Sequence, residues 1–147
     1  MDGIVAISRD KKRPFMTDPK FLKYQGFEII DEAPPYFKLW GFKTNPKAEY
    51  PKILQSAKLG LLPNTKGITA YYSSTCPFTD FYTNRLLREY AKKRNIPITI
   101  NYIKTKSDGR KMPIPWIINS IFYNGKLVTL EMKPDKHLDK IINEQNR

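Results

Sequence analysis

The sequence predicts a mixed α/β (α+β) fold in two parts, a β-α-β-β-β-α domain over residues 67–147 and a strand-helix-strand segment ahead of it. Two local signals carry the prediction. Runs of β-branched and aromatic residues alternate with segments of helical periodicity, and Asn124-Gly125 joins two apolar runs as in a tight hairpin. The composition agrees, because 147 residues with 40% hydrophobic and 13% aromatic content can build a packed core.

In the first part, Gly3 to Ser8 reads as a short strand and Asp18-Pro19-Lys20 opens a brief helix that runs through Tyr24. Phe27 to Ile30 and Tyr36 to Phe42 read as strands separated by Glu32-Ala33-Pro34-Pro35. Residues 46–66 read as a helical connector. Pro51 suits a first helical position, Ile53, Leu54 and Ala57 follow at helical spacing, and Gly60 suits the C-cap.

In the second part, Gly67 to Ser73 is a strand, and residues 77–94 form a helix with Phe78, Tyr82, Leu86 and Tyr90 on one stripe. Asn95-Ile96-Pro97 stops that helix, and Ile98 to Ile103 is the next strand, parallel to the first. A charged loop from Lys104 to Lys111 leads to Met112-Pro113-Ile114-Pro115. Trp116 to Tyr123 and Lys126 to Met132 then form the antiparallel pair, and Pro134-Asp135 opens a last helix with Leu138, Ile141 and Ile142 on one face.

The single cysteine, Cys76, lies between the first strand of this domain and its helix. A helix N-terminus favours a thiolate through its unpaired N–H groups and the helix dipole, so Cys76 is the candidate catalytic residue. A buried, inert thiol is the structural alternative for a lone cysteine. With no second cysteine, any redox chemistry is monothiol: a mixed disulfide with a small thiol, an intermolecular bridge, or a sulfenic acid resolved by another molecule. One cysteine also excludes an internal disulfide, which fits a reducing, cytoplasmic location. No run approaches membrane-spanning length, so no membrane partner is expected.

The net charge of +12 is spread along the chain: residues 1–66 hold 12 basic and 7 acidic side chains, and the remainder 14 and 7. Lys92-Lys93-Arg94 closes a helix, where cations complement the dipole. There is no zinc-finger spacing, RNP-type motif or arginine-glycine repeat, so nucleic acid is not an expected partner, whereas an acidic partner suits the surface. His137 has no Cys or carboxylate neighbours in a metal-site pattern and reads as a surface residue.

The element order of residues 67–147, with Cys76-Pro77-Phe78-Thr79 at the first helix and a proline before the third strand, resembles the thioredoxin and glutaredoxin fold. The resemblance implies a thioredoxin-like domain in which Thr75, Pro77, Phe78 and Thr79 flank the thiol as substrate-binding positions. It also implies a cis-proline facing the cysteine, at Pro115 with Pro113 as the rival position. Thr79 stands where a second cysteine would be, and the loop before Pro115 leaves little room for the usual second helix.

The first part resembles a different family. Phe21-Leu22-Lys23-Tyr24-Gln25-Gly26-Phe27 followed by Glu28-Ile29-Ile30-Asp31 is similar to the closing helix and strands of GNAT acetyltransferases. The longer run from Asp18 to Phe37, followed by the Cys-Pro-Phe-Thr domain, looks like the C-terminal part of YoaP-type GNAT proteins. The resemblance implies a GNAT-like C-terminal segment at 1–45, the helical connector at 46–66 and the thioredoxin-like domain at 67–147. GNAT enzymes grip acetyl-CoA with a Gly-x-Gly/Ala loop at a helix N-terminus. The seven glycines here, at 3, 26, 41, 60, 67, 109 and 125, form no Gly-x-Gly. A tyrosine that often protonates the leaving thiolate in GNAT enzymes is replaced by Leu22, and Tyr24, about 200° further round the helix, is expected to pack.

The reading that follows is the C-terminal portion of a GNAT-like N-acetyltransferase, with no cofactor expected in this chain and acetyl-CoA only if a missing GNAT half is supplied. Its expected partners are that half or a second copy in a homo-oligomer. A stand-alone monothiol redox protein acting through Cys76 on a small thiol, and a non-catalytic basic binding module, are the alternatives.

Overall fold

The computed structural model describes all residues 1–147, which divide into two compact units. The first comprises Met1–Gly60 with Pro113–Pro115, and the second Leu61–Met112 with Trp116–Arg147.

In the first unit, β1 (Gly3–Arg9), β2 (Glu28–Ala33) and β3 (Phe37–Lys43) form an antiparallel sheet of order β1-β3-β2, so the last strand is inserted between the first two. Helix α1 (Pro19–Tyr24) precedes β2. It starts where the sequence predicts, because the Asp18 carboxylate accepts the Lys20 N–H at 2.9 Å and Pro19 needs no partner for an N–H it lacks. It stops at Gly26, whose φ of +84° suits glycine. Phe37, Leu39, Trp40, Leu22 and Ala33 are buried. The Trp40 indole donates to the buried Ser8 hydroxyl at 2.8 Å, which satisfies both groups away from water. Between Ile29 and Asp31 the pairing with β3 shifts by one residue. Past this bulge, the Asp31 carboxylate accepts from Lys58 Nζ at 2.6 Å and the Ile53 N–H at 2.9 Å.

Two expectations for this part change. Tyr24 is 86% exposed and so does not pack, whereas Leu22 is the buried residue of α1. Where the sequence predicts a connector helix, the only helical structure is a 3₁₀ turn, Gln55–Lys58. Ile53 and Ala57 are buried as the helical spacing requires, but Leu54 is exposed. Two apolar anchors suffice to seat one turn, and a segment with so few buried residues cannot offset the cost of helix nucleation.

In the second unit, β4 (Ile68–Tyr72) pairs in parallel with β5 (Ile98–Tyr102) and antiparallel with β6 (Asn119–Tyr123), and β7 (Lys126–Thr129) closes the hairpin. The sheet order is β5-β4-β6-β7. Asn124 and Gly125 have φ of +46° and +81°, as the hairpin signal predicts. Ile68 and Ala70 on β4 and Ile121 on β6 form one core with Tyr82, Leu87, Tyr90, Ala91, Leu138 and Ile142, so the long helix and α5 (Asp135–Gln145) cover the same face.

The long helix is where the sequence reading departs most from the fold. It runs as α2 (Pro77–Phe81), a π-helical turn (Tyr82–Leu87) and α3 (Arg88–Lys93). The stripe expected at Phe78, Tyr82, Leu86 and Tyr90 is not the buried face, since Phe78 is 70% and Leu86 41% exposed. Thr79, Tyr82, Thr83, Leu87, Tyr90 and Ala91 face inward instead. The π turn widens the step from Tyr82 to Leu87 to five residues, and two buried threonines take places that a search for apolar residues passes over.

A second difference is α4 (Lys106–Arg110), a short helix in the segment read as a loop. Its cause is local: the Thr105 hydroxyl accepts the Asp108 N–H at 3.2 Å and the Asp108 carboxylate accepts the Thr105 N–H at 2.8 Å, a reciprocal capping box.

Candidate functional site

The turn that carries Cys76 is built by its neighbours. After β4 the Ser73 N–H donates to the Ile118 carbonyl at 3.2 Å, and the Ser73 and Thr75 hydroxyls lie 2.6 Å apart. Cys76 is the N-cap of α2, in extended conformation with φ −128° and ψ 119°, and its side chain makes no capping hydrogen bond. Pro77 follows at the first helical position, as predicted. Thr79 holds the turn closed. It is 1% exposed, its N–H donates to the Cys76 carbonyl at 3.1 Å, and its hydroxyl lies 2.8 Å from the Ser73 carbonyl and 2.7 Å from that of Cys76.

Of the residues singled out from sequence, Thr75, Cys76, Pro77, Phe78 and Thr79 thus share one turn. Cys76 is half-buried, Thr75 and Pro77 are exposed, and Phe78 stands out into solvent beside the half-exposed Phe81. Thr79 faces inward, with its hydroxyl engaged by backbone. Pro115 is half-buried and belongs to the first unit, outside the unit that carries Cys76. The Ile114–Pro115 bond is trans, since the one cis peptide is Pro34–Pro35; the cis-proline that the thioredoxin resemblance implies is therefore not at Pro115, nor at Pro113.

Arg94, read from sequence as a cation complementing the end of its helix, has a more specific role. Its Nε and its terminal nitrogen donate to the two oxygens of Asp139 at 2.5 and 2.6 Å, a bidentate pair joining the end of α3 to α5. The Tyr90 hydroxyl donates to the same carboxylate at 2.9 Å, and the guanidinium stacks 3.9 Å from the Tyr90 ring. The Arg94 hydrogen bonds hold the Asp139 carboxyl below its ordinary range, and burial pushes the Tyr90 hydroxyl up. No spacing in the sequence signals this cluster, because its members lie up to 49 residues apart.

No metal-ligand cluster is assembled. No three of the His, Cys, Asp and Glu side chains converge, and His137 is exposed. Acids stand at the N-termini of α1, α2, α4 and α5: Asp18 caps α1, Asp80 lies in the first turn of α2, Asp108 closes the capping box of α4, and Asp135 opens α5.

Comparison with known proteins adds what the geometry leaves open. Residues 97–140 match the family model described as YoaP-like. Over 143 residues the chain is 35% identical to the protein named "Uncharacterized N-acetyltransferase YoaP" from Bacillus subtilis (strain 168), an alignment covering 97% of this chain. It covers 56% of that relative, so the chain spans little more than half the relative's length. No solved structure gives a significant match. The sequence is therefore similar, over nearly all of its length, to a protein named as an N-acetyltransferase.

Proposed function

We propose that this chain is the strand-completing, C-terminal portion of a GNAT-type N-acetyltransferase and that it transfers no acetyl group by itself. The observation that carries the reading is the identity of 35% across 97% of the chain to a protein named as an N-acetyltransferase. The first unit supports it, because an antiparallel sheet whose last strand enters between the first two leaves β1 at an edge. Ile4 and Val5 on that strand are 47% and 49% exposed. A free edge with exposed apolar side chains is suited to accept a further strand. In this reading the edge of β1 takes up the strands that hold acetyl-CoA, supplied by a GNAT half, and the chain contributes none of the pyrophosphate contacts.

The second unit is in this reading a thioredoxin-like appendage, supported by its β5-β4-β6-β7 order and by the short α4 ahead of β6. Its turn at Thr75–Thr79 serves recognition rather than disulfide exchange, since Thr79 occupies the place of a second thiol and fastens the backbone there.

Calorimetry with acetyl-CoA tests the assignment, on this chain alone and on the chain produced together with the reading frame immediately upstream of Met1. Binding by the pair and none by the chain is expected. Micromolar binding by the chain alone, or none by either, overturns the proposal.

A further inference from the structure

Between the π turn and α3 on one side and the start of α5 on the other, the second unit carries an open groove of about 710 Å³. Leu86, Leu87, Tyr90, Met132, Pro134 and Leu138 line it. Leu86 and Met132 keep 41% and 40% of their surface exposed, so apolar area faces water inside a concave site. Its volume falls in the range of small-molecule sites, roughly 300–1,000 Å³.

Apart from the exposed His137 imidazole, the neutral polar groups of the walls are already engaged. The Tyr82 hydroxyl donates to the Lys133 carbonyl at 2.8 Å and accepts the Lys133 N–H at 3.1 Å, and the Tyr90 hydroxyl is held by Asp139. Of the two acids of the lining, Glu89 pairs with Arg85 at 3.7 Å, and Asp135 shares Arg94, at 3.6 Å, with Asp139. Lys133 is paired with Glu131. Two lining cations are left over: Lys93 and Lys136 are exposed, and neither takes part in any ion pair of the chain. The groove therefore offers an apolar floor with two unpaired lysines at its rim, and since Asp135 and Asp139 divide Arg94 between them the rim keeps an excess of one positive charge.

We propose that this groove binds a small amphiphilic carboxylate, its apolar body laid on Leu86, Met132 and Pro134 and its anionic head directed to Lys93 and Lys136. A neutral apolar ligand leaves both cations without a partner, and a cationic one is repelled by them, so the rim selects by charge what the floor holds by apolar contact.

The full chain is titrated with octanoate, 1-octanol and octyltrimethylammonium, which share a tail and differ in charge, and binding is read by calorimetry and by methyl NMR. Octanoate should bind and shift the Leu86 and Met132 methyl signals, and octyltrimethylammonium should not. The double variant Lys93→Glu/Lys136→Glu should weaken octanoate about fivefold to tenfold, the range set by two exposed ion pairs, and leave octanol unchanged. Lys93→Gln/Lys136→Gln should give a smaller loss in the same direction and guards against misfolding of the reversed variant. Equal binding of all three probes, shifts confined to other methyl groups, no octanoate binding, or self-association of the chain through this face would each overturn the proposal.

Discussion

Cys76 occupies an N-cap position without capping, since its side chain accepts no backbone N–H. Serine is among the residues that fill this role best. Cys76→Ser should therefore stabilise the second unit by roughly 0.5–1 kcal/mol in a urea titration; a loss of stability would show that packing of the half-buried sulfur matters more than the cap. Thr79 predicts the opposite sign. Thr79→Val keeps the shape and removes the hydroxyl that serves the Ser73 and Cys76 carbonyls in a site 1% exposed, which should cost about 1–3 kcal/mol. A neutral result would mean that these carbonyls find other donors. The position of Cys76 at the mouth of a helix was legible in the sequence because strand, Cys-Pro and helix are consecutive. The role of Thr79 was not, because a threonine one turn into a helix gives no sign of whether it faces the core or the solvent.

At the scale of elements, the join between α3 and α5 rests on Arg94 and Asp139. The Asp139 carboxyl titrates below its ordinary 3.8 in the folded chain, chiefly through the Arg94 hydrogen bonds. A depressed carboxyl contributes stability that is fully present above the unfolded value and is lost as pH falls through the folded one. The stability difference between the natural chain and Asp139→Asn should thus be constant near neutrality and shrink below about pH 3.8. Denaturation at a series of pH values measures it, and a difference that persists at the acid end contradicts the linkage. For α4, Thr105→Ala removes one half of the capping box and should cost about 1 kcal/mol locally, seen as faster amide exchange over residues 106–110. Unchanged exchange would mean that tertiary contacts rather than the cap hold that turn. The Thr105-x-x-Asp108 pattern was present in the sequence, but the charged composition of the segment masked it. The π turn had no sequence signal, because backbone that adds a residue per turn is chosen by what the face must cover.

For the whole molecule, the +12 net charge is distributed over both parts of the chain, and no helix is long and apolar enough to cross a membrane. Like charge spread over a surface repels itself, and salt weakens the repulsion as the Debye length falls from about 30 Å at 0.01 M to about 8 Å at 0.15 M. The melting temperature should rise by a few degrees over that interval. A fall would show that the ion pairs, such as Arg94–Asp139, outweigh the net repulsion.

By itself the sequence determined the order of the strands, the hairpin at Asn124-Gly125 and the cap at Asp18, because each depends on neighbours within a few residues. Only the tertiary structure decided which face of the long helix is buried, that β3 lies between β1 and β2, that Arg94 meets Asp139, and that Leu86 and Met132 open onto one groove. Those features depend on residues brought together from distant parts of the chain, where packing and pairing of charge select the arrangement and local pattern does not.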